Sequence, residues 1–185
     1  MLMNYTHRHK CFISYHHEND QYYKERFVKL FDYYLDIFID KSVGEGEINS
    51  NSSTDYIMQQ IRDNYLRDSS VTIVLVGKDT WKRKFIDWEI SASIRNTQKN
   101  PRSGLFGIIL PTHADYGKTG YTSNIIPPRL YDNLKNGFAE IYDWTENPDK
   151  IQQWINSAFD RKEIKLPDNS RTLFVNNRTG DRWVD

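Results

Sequence analysis

Six consecutive residues, Val71-Thr72-Ile73-Val74-Leu75-Val76, constrain this chain more than any other feature. The run is β-branched or apolar almost throughout and does not alternate, so it predicts a central strand buried on both faces. A strand of that kind needs cover above and below, and the flanking sequence supplies it. Cys11-Phe12-Ile13-Ser14-Tyr15 reads as a first strand that ends in the polar stretch 16–20, where Asn19 or Asp20 is placed to cap a helix. That helix carries Tyr23, Phe27, Leu30, Phe31 and Tyr34 at steps of three and four. A second strand at 37–39 is followed by the glycine-bearing polar loop 40–51. Ser52 or Ser53 caps the next helix, which turns Tyr56, Ile57, Ile61, Tyr65 and Leu66 toward the core.

After the central strand, residues 78–98 read as one long helix capped by Asp79 or Thr80, and 105–110 as a fourth strand. Residues 111–137 are rich in Gly, Pro, Tyr and Asn, with a short helix expected at 128–134. A last strand at 138–142 leads to a helix with Pro148 in its first turn and Ile151, Trp154, Ile155, Ala158 and Phe159 on its inner face. Five alternations of strand and helix predict a three-layer α/β, flavodoxin-like fold. Its five-stranded, mostly parallel sheet carries helices on both faces. The whole chain, 1–185, is expected to be a single domain, with a core at about 10–160 and a C-terminal extension at about 165–185.

Lys and Arg total 25 and Asp and Glu total 25, so no net field draws the chain to nucleic acid or to an anionic membrane. The single cysteine, Cys11, allows no internal disulfide, and the first residues lack the apolar core of a secretory signal. No run approaches the roughly 18 apolar residues of a membrane span. A cytoplasmic protein is expected.

Ligands of such sheets bind beyond the carboxyl ends of the strands, which gathers residues 15–16, 40 onward, 77 onward and 111 onward at one edge. On a helical wheel started at Trp81, Trp81, Phe85, Trp88 and Ala92 form one apolar stripe and Ile86, Ile90 and Ile94 a second. Glu89 falls between them. Partial desolvation of that kind can raise a carboxyl pKa and marks a candidate for catalysis. The competing reading pairs Glu89 with Lys82 or Arg95. Asp87 is placed on the polar face. His16 and His17, at the end of the first strand, can touch a ligand or exchange a proton, or simply face solvent in a turn. His7, His9, Cys11 and His16 match no zinc spacing, so no metal is expected. Gly44-Glu45-Gly46 lacks the lysine of a phosphate-cradling loop, and the first strand lacks a dinucleotide glycine fingerprint.

The opening strand Cys11-Phe12-Ile13-Ser14-Tyr15 resembles that of TIR domains, and Phe85-Ile86-Asp87-Trp88-Glu89 resembles their aromatic-x-x-x-Glu helix. Together with residues 70–77 and Trp88-Glu89-Ile90, these motifs are similar to the TIR-like subunit of bacterial Thoeris anti-phage systems. The resemblance implies cleavage of the nicotinamide–ribose bond of NAD, which is substrate and not a resident cofactor. It also implies a cyclic ADP-ribose-type product that diffuses to a nucleotide-sensing effector, and the possibility of a homo-oligomer. Glu89 would be the catalytic residue; Ser14, Tyr15, His16, Asp40 and Phe85 would bind substrate. Phe85 stands where the family often has Trp. Residues 111–137 exceed what a minimal TIR domain needs, and are expected to be either a lid that excludes water or an assembly surface. A non-catalytic interaction scaffold is the alternative reading, since fold alone does not fix function. A flavin-binding protein is a third, tested by the colour of the pure protein.

Overall fold

The computed structural model describes residues 9–32, 36–37 and 51–185. Strand β1 (Lys10–Ser14) leads into α1 (His17–Phe31) and β2 (Asp36–Ile37); α2 (Thr54–Gln60) continues into a π-helical turn, Ile61–Tyr65. Next come β3 (Val71–Val76), a 3-10 turn (Thr80–Lys82) and α3 (Lys84–Ser93), then β4 (Gly104–Ile109), a 3-10 turn (Ser123–Ile125) and α4 (Pro128–Lys135). Strand β5 (Ala139–Asp143) and helix α5 (Pro148–Ile164) complete the layers. The five strands lie in the order β2-β1-β3-β4-β5, and every pairing is parallel. This is the doubly wound flavodoxin-like order, whose direction of winding reverses between β1 and β3.

Side chains of a strand point alternately to the two faces, and the layers follow from that rule. Ile13 and Tyr15 of β1 and its exit, Ile73 and Leu75 of β3, and Phe106 and Ile108 of β4 pack against Phe27 and Phe31 of α1 and Ile151 and Ile155 of α5. On the other face Val74, Val76 and Leu105 meet Ile86 and Ile90 of α3 and Leu130 of α4. Phe12 packs there with Ile57, Met58, Trp88 and Ala92. Every residue of β3 is buried, as a strand covered on both faces requires. Gly104 allows α5 to sit directly on β4: a Cβ there would lie 2.2 Å from the Ala158 carbonyl oxygen.

Local chemistry accounts for two of the helix starts. Ser53 caps α2 by accepting from the Tyr56 N–H at 3.3 Å, and Asn147 caps α5, with Pro148 as its first residue. Three expectations need correction. Helix α1 starts at His17, with His16 as its N-cap, so neither Asn19 nor Asp20 caps it; Asp20 is buried inside the first turn. Tyr56 is exposed, because Ile57, Met58 and Ile61 form the inner stripe of its helix. The helix expected over 78–98 is broken: Arg83 is extended (φ −87°, ψ 121°) between the 3-10 turn and α3. The Thr80 hydroxyl accepts from the Gly77 N–H at 2.8 Å and lies 3.2 Å from Asp20 Oδ2, which commits residues 77–80 to a turn leaving β3. The helix restarts beyond it. Trp81 therefore does not share a wheel with Phe85 and Trp88. The expected second strand overlaps β2 only at Ile37, its other two residues and the loop 40–50 lying outside the described residues, as does Tyr34.

Candidate functional site

At the carboxyl edge of β1, Ser14 turns its side chain toward α3, the face that Phe12 also uses. Its Oγ donates to Glu89 Oε2 at 2.6 Å. Both groups are buried, Ser14 at 0% and Glu89 at 1% exposure, so the bond is formed away from water, where a hydrogen bond is electrostatically stronger. The cations considered as partners for Glu89 make other pairs: Lys82 with Asp79 at 2.7 Å and Arg95 with Asp55 at 2.9 Å. Phe85, one turn before Glu89, is half-buried and meets Trp88 edge to face at 5.6 Å, with the Lys84 ammonium 5.1 Å from its ring centre.

Tyr15 alternates to the other face. Its hydroxyl donates to Gln21 Oε1 at 2.8 Å, its ring stacks on His17 at 4.5 Å, and burial followed by the negative charge of Glu89 pushes its phenol pKa up. His16 is 6% exposed, neither ring nitrogen is hydrogen-bonded, and Nε2 lies 3.8 Å from Glu18 Oε2. Burial, and then the Arg83 charge, lowers its pKa, so its ring is neutral at neutral pH. Ser14 and His16 thus stand at the end of β1, and Phe85 and Glu89 on the first two turns of α3, the Ser14–Glu89 bond joining the two. Tyr15 contributes from the opposite side of the sheet. Asp40 lies outside the described residues.

A second buried carboxylate closes the exit from β3. Asp20 has no exposure and its Oδ1 has no hydrogen-bond partner; a Cβ at Gly77 would sit 2.3 Å from that oxygen. Burial pushes its pKa up to about 6, against the opposing effect of the Thr80 hydroxyl.

Asp87 corrects the wheel most sharply. It is buried, and Arg129 of α4 donates to it through Nε at 2.8 Å and a terminal nitrogen at 3.3 Å. The Phe174 N–H adds a third donor at 3.0 Å. The outward face of α3 is covered by residues from the end of the chain, a contact invisible to a wheel drawn on α3 alone. The one hint in the sequence is that Phe174 and Trp183 are isolated aromatics in a polar tail.

Residues 111–127 form a braced loop. Asp115 accepts from the Thr122 N–H at 2.7 Å and the Thr122 hydroxyl at 3.2 Å, while the Gly117 N–H donates to Asp143 at the end of β5. His113 Nδ1 accepts from the Asp115 N–H and Nε2 faces the Ile125 carbonyl, which selects the neutral tautomer protonated on Nε2. Among the described residues no cluster of His, Cys, Asp and Glu could hold a metal ion, and no helix is long and apolar enough to cross a membrane.

Residues 12–115, more than half of the chain and the span that contains Ser14 and Glu89, match the family model described as Thoeris protein ThsB, TIR-like domain. The chain belongs to this ThsB TIR-like family. Among solved structures it is similar to the TIR domains of the activated Roq1 resistosome directly recognizing the pathogen effector XopQ, at 15% identity and a TM-score of 0.36 over 85% of each chain. No curated protein matches. The α4 region, α5 and the tail that covers Asp87 lie beyond the span matched to the ThsB family.

Proposed function

We propose that this ThsB-family protein cleaves the nicotinamide–ribose bond of NAD and releases a cyclic ADP-ribose-type product, read by a separate nucleotide-sensing effector in anti-phage defence. The observation that carries this reading is the buried Ser14–Glu89 hydrogen bond of 2.6 Å at the carboxyl edge of the sheet. As the C–N bond breaks, its electron pair leaves with the nicotinamide nitrogen and positive charge develops on the ribose. A fixed carboxylate stabilises that oxocarbenium-like charge, the role carboxylates play in other glycoside cleavages. Ser14 orients the Glu89 oxygens before substrate arrives, so little reorganisation is left for the reaction itself. Capture of the ribose carbon by a nitrogen of the same nucleotide gives the cyclic product. Capture by water gives ADP-ribose and a proton.

One observation also fits a different reading. At 1% exposure Glu89 reaches a nucleotide only after the surface over it opens, which suits a resting enzyme awaiting a trigger and equally suits a scaffold in which Glu89 is a structural anion. NAD consumption with chromatographic product analysis, on wild type and Glu89→Gln, purified and in infected-cell lysate, separates the two. The enzyme predicts an ADP-ribose isomer from wild type and a loss of about 100-fold or more in the variant. No Glu89-dependent nucleotide change in either setting establishes the scaffold.

A further inference from the structure

Helix α3 brings no cap of its own, since Arg83 at its N-cap offers no side-chain acceptor. Its first N–H, that of Lys84, donates instead to Asn177 Oδ1 at 3.0 Å, from 93 residues along the chain. The next tail residue, Arg178, donates its N–H to the Lys82 carbonyl at 2.7 Å. Further along α3, one tail residue grips two consecutive side chains: the Phe174 N–H donates to Asp87 at 3.0 Å, and its carbonyl accepts from Trp88 Nε1 at 2.8 Å. Asn169 Nδ2 reaches the Ser91 carbonyl at 3.0 Å near the other end of the helix. The tail thus runs antiparallel along α3, and its far end is anchored by Trp183, 7% exposed, through bonds to the Asn124 and Ile126 carbonyls at 2.9 and 2.7 Å.

We propose that this strap, residues 169–183, is a positioning element for the Glu89 carboxylate, with Asn177 as a positioning residue. The inference rests on the reading of Glu89 as the working group. Successive helical residues are about 100° apart, so Asp87 and Glu89 point to nearly opposite sides of α3. The strap holds the outer side at Asp87 while Ser14 holds the inner side at Glu89. A small rotation or slide of α3 moves the Glu89 oxygens off Ser14, and the strap opposes both motions: the Asn177 cap fixes the helix start, and the two Phe174 bonds fix its rotation immediately before Glu89. These restraints come from residues outside the span 12–115 that defines the family match.

The test uses the full chain with Asn177→Ala, which removes the cap, and Asn177→Asp, which retains an acceptor oxygen; Asn177 is exposed, so neither disturbs packing. The direct readout is the carboxyl-carbon NMR signal of Glu89, assigned by its loss in Glu89→Gln. The kinetic readout is kcat and KM for NAD. The strap predicts a displaced Glu89 signal and a kcat lower by about three- to tenfold in Asn177→Ala, with KM within roughly twofold, and recovery of both in Asn177→Asp. A Glu89 signal at the wild-type position in Asn177→Ala overturns the proposal. Absence of NAD turnover in wild type removes the glycosidase reading instead, and the carboxyl signal then decides the strap alone.

Discussion

Glu89 and Asp20 are both buried carboxyl groups that accept from a hydroxyl, yet they are held differently. Ser14 donates to Glu89 at 2.6 Å, whereas Asp20 has Thr80 at 3.2 Å and an oxygen with no partner beside Gly77. Burial therefore dominates at Asp20 and lifts its pKa from an ordinary 3.8 to about 6. The folded state binds this proton more tightly than the unfolded chain, so stability from Asp20 is fully present below about pH 4 and is lost as pH rises through about 6. The shift corresponds to roughly 3 kcal/mol at most. Urea unfolding of wild type and Asp20→Asn between pH 3 and 8 checks this. The wild-type stability minus that of the variant should fall across this window and be flat on either side. A constant difference would show that Asp20 does not titrate there. The wheel placed Glu89 correctly between apolar stripes. It did not show which hydroxyl would meet it, because that depends on the face to which β1 turns Ser14, and it did not show Asp20 as buried, because only the packed turn at Gly77 removes it from water.

At the scale of elements, α3 is the part most altered by its surroundings. From Ile86 to Ser93 every residue is buried, including Asp87 and Glu89, because the sheet, α2, α4 and the tail enclose it. A polar position on such a helix must find a partner inside the protein. Asp87 finds Arg129, and the pair joins α3 to α4, while Arg129 also donates to Asn169 at 2.9 Å and to the Arg171 carbonyl at 2.8 Å. Removing one partner leaves a buried charge unpaired. Arg129→Met is therefore expected to lose about 3–5 kcal/mol of stability. Adding Asp87→Asn should recover part of that loss, since no charge is then stranded and the amide oxygen still accepts from Phe174. Denaturant unfolding of the two single variants and the double variant measures the coupling; strict additivity would mean that the two side chains act independently. The break at Arg83 was likewise out of reach of periodicity, since Thr80 serves the turn after β3 before it can serve a helix.

For the molecule as a whole, the tail is tied into the layers at intervals: the Asp168 N–H to Asn133, Phe174 to Asp87, Arg178 to Lys82 and Trp183 to Asn124. Ties to α3, α4 and the braced loop 111–127 predict that it unfolds together with the layers. Native-state hydrogen exchange should find the Phe174 amide protected to within about 1–2 kcal/mol of the amides of β3. Exchange hundreds of times faster would mark the tail as a separately fraying segment. The sequence alone determined the layers: an unbroken apolar run at 71–76 has to be a two-faced strand, and segments of period 3.6 on either side of it have to cover both faces. It also gathered residues 15–16 and the segment from 77 onward at one edge, since parallel strands bring their carboxyl ends together. Only the tertiary structure decided that Glu89 bonds to Ser14, that Asp87 is buried against Arg129 and that residues 169–183 cap and clamp α3. Those contacts join residues at least 42 positions apart, and their geometry is set by how the layers pack and not by any local period.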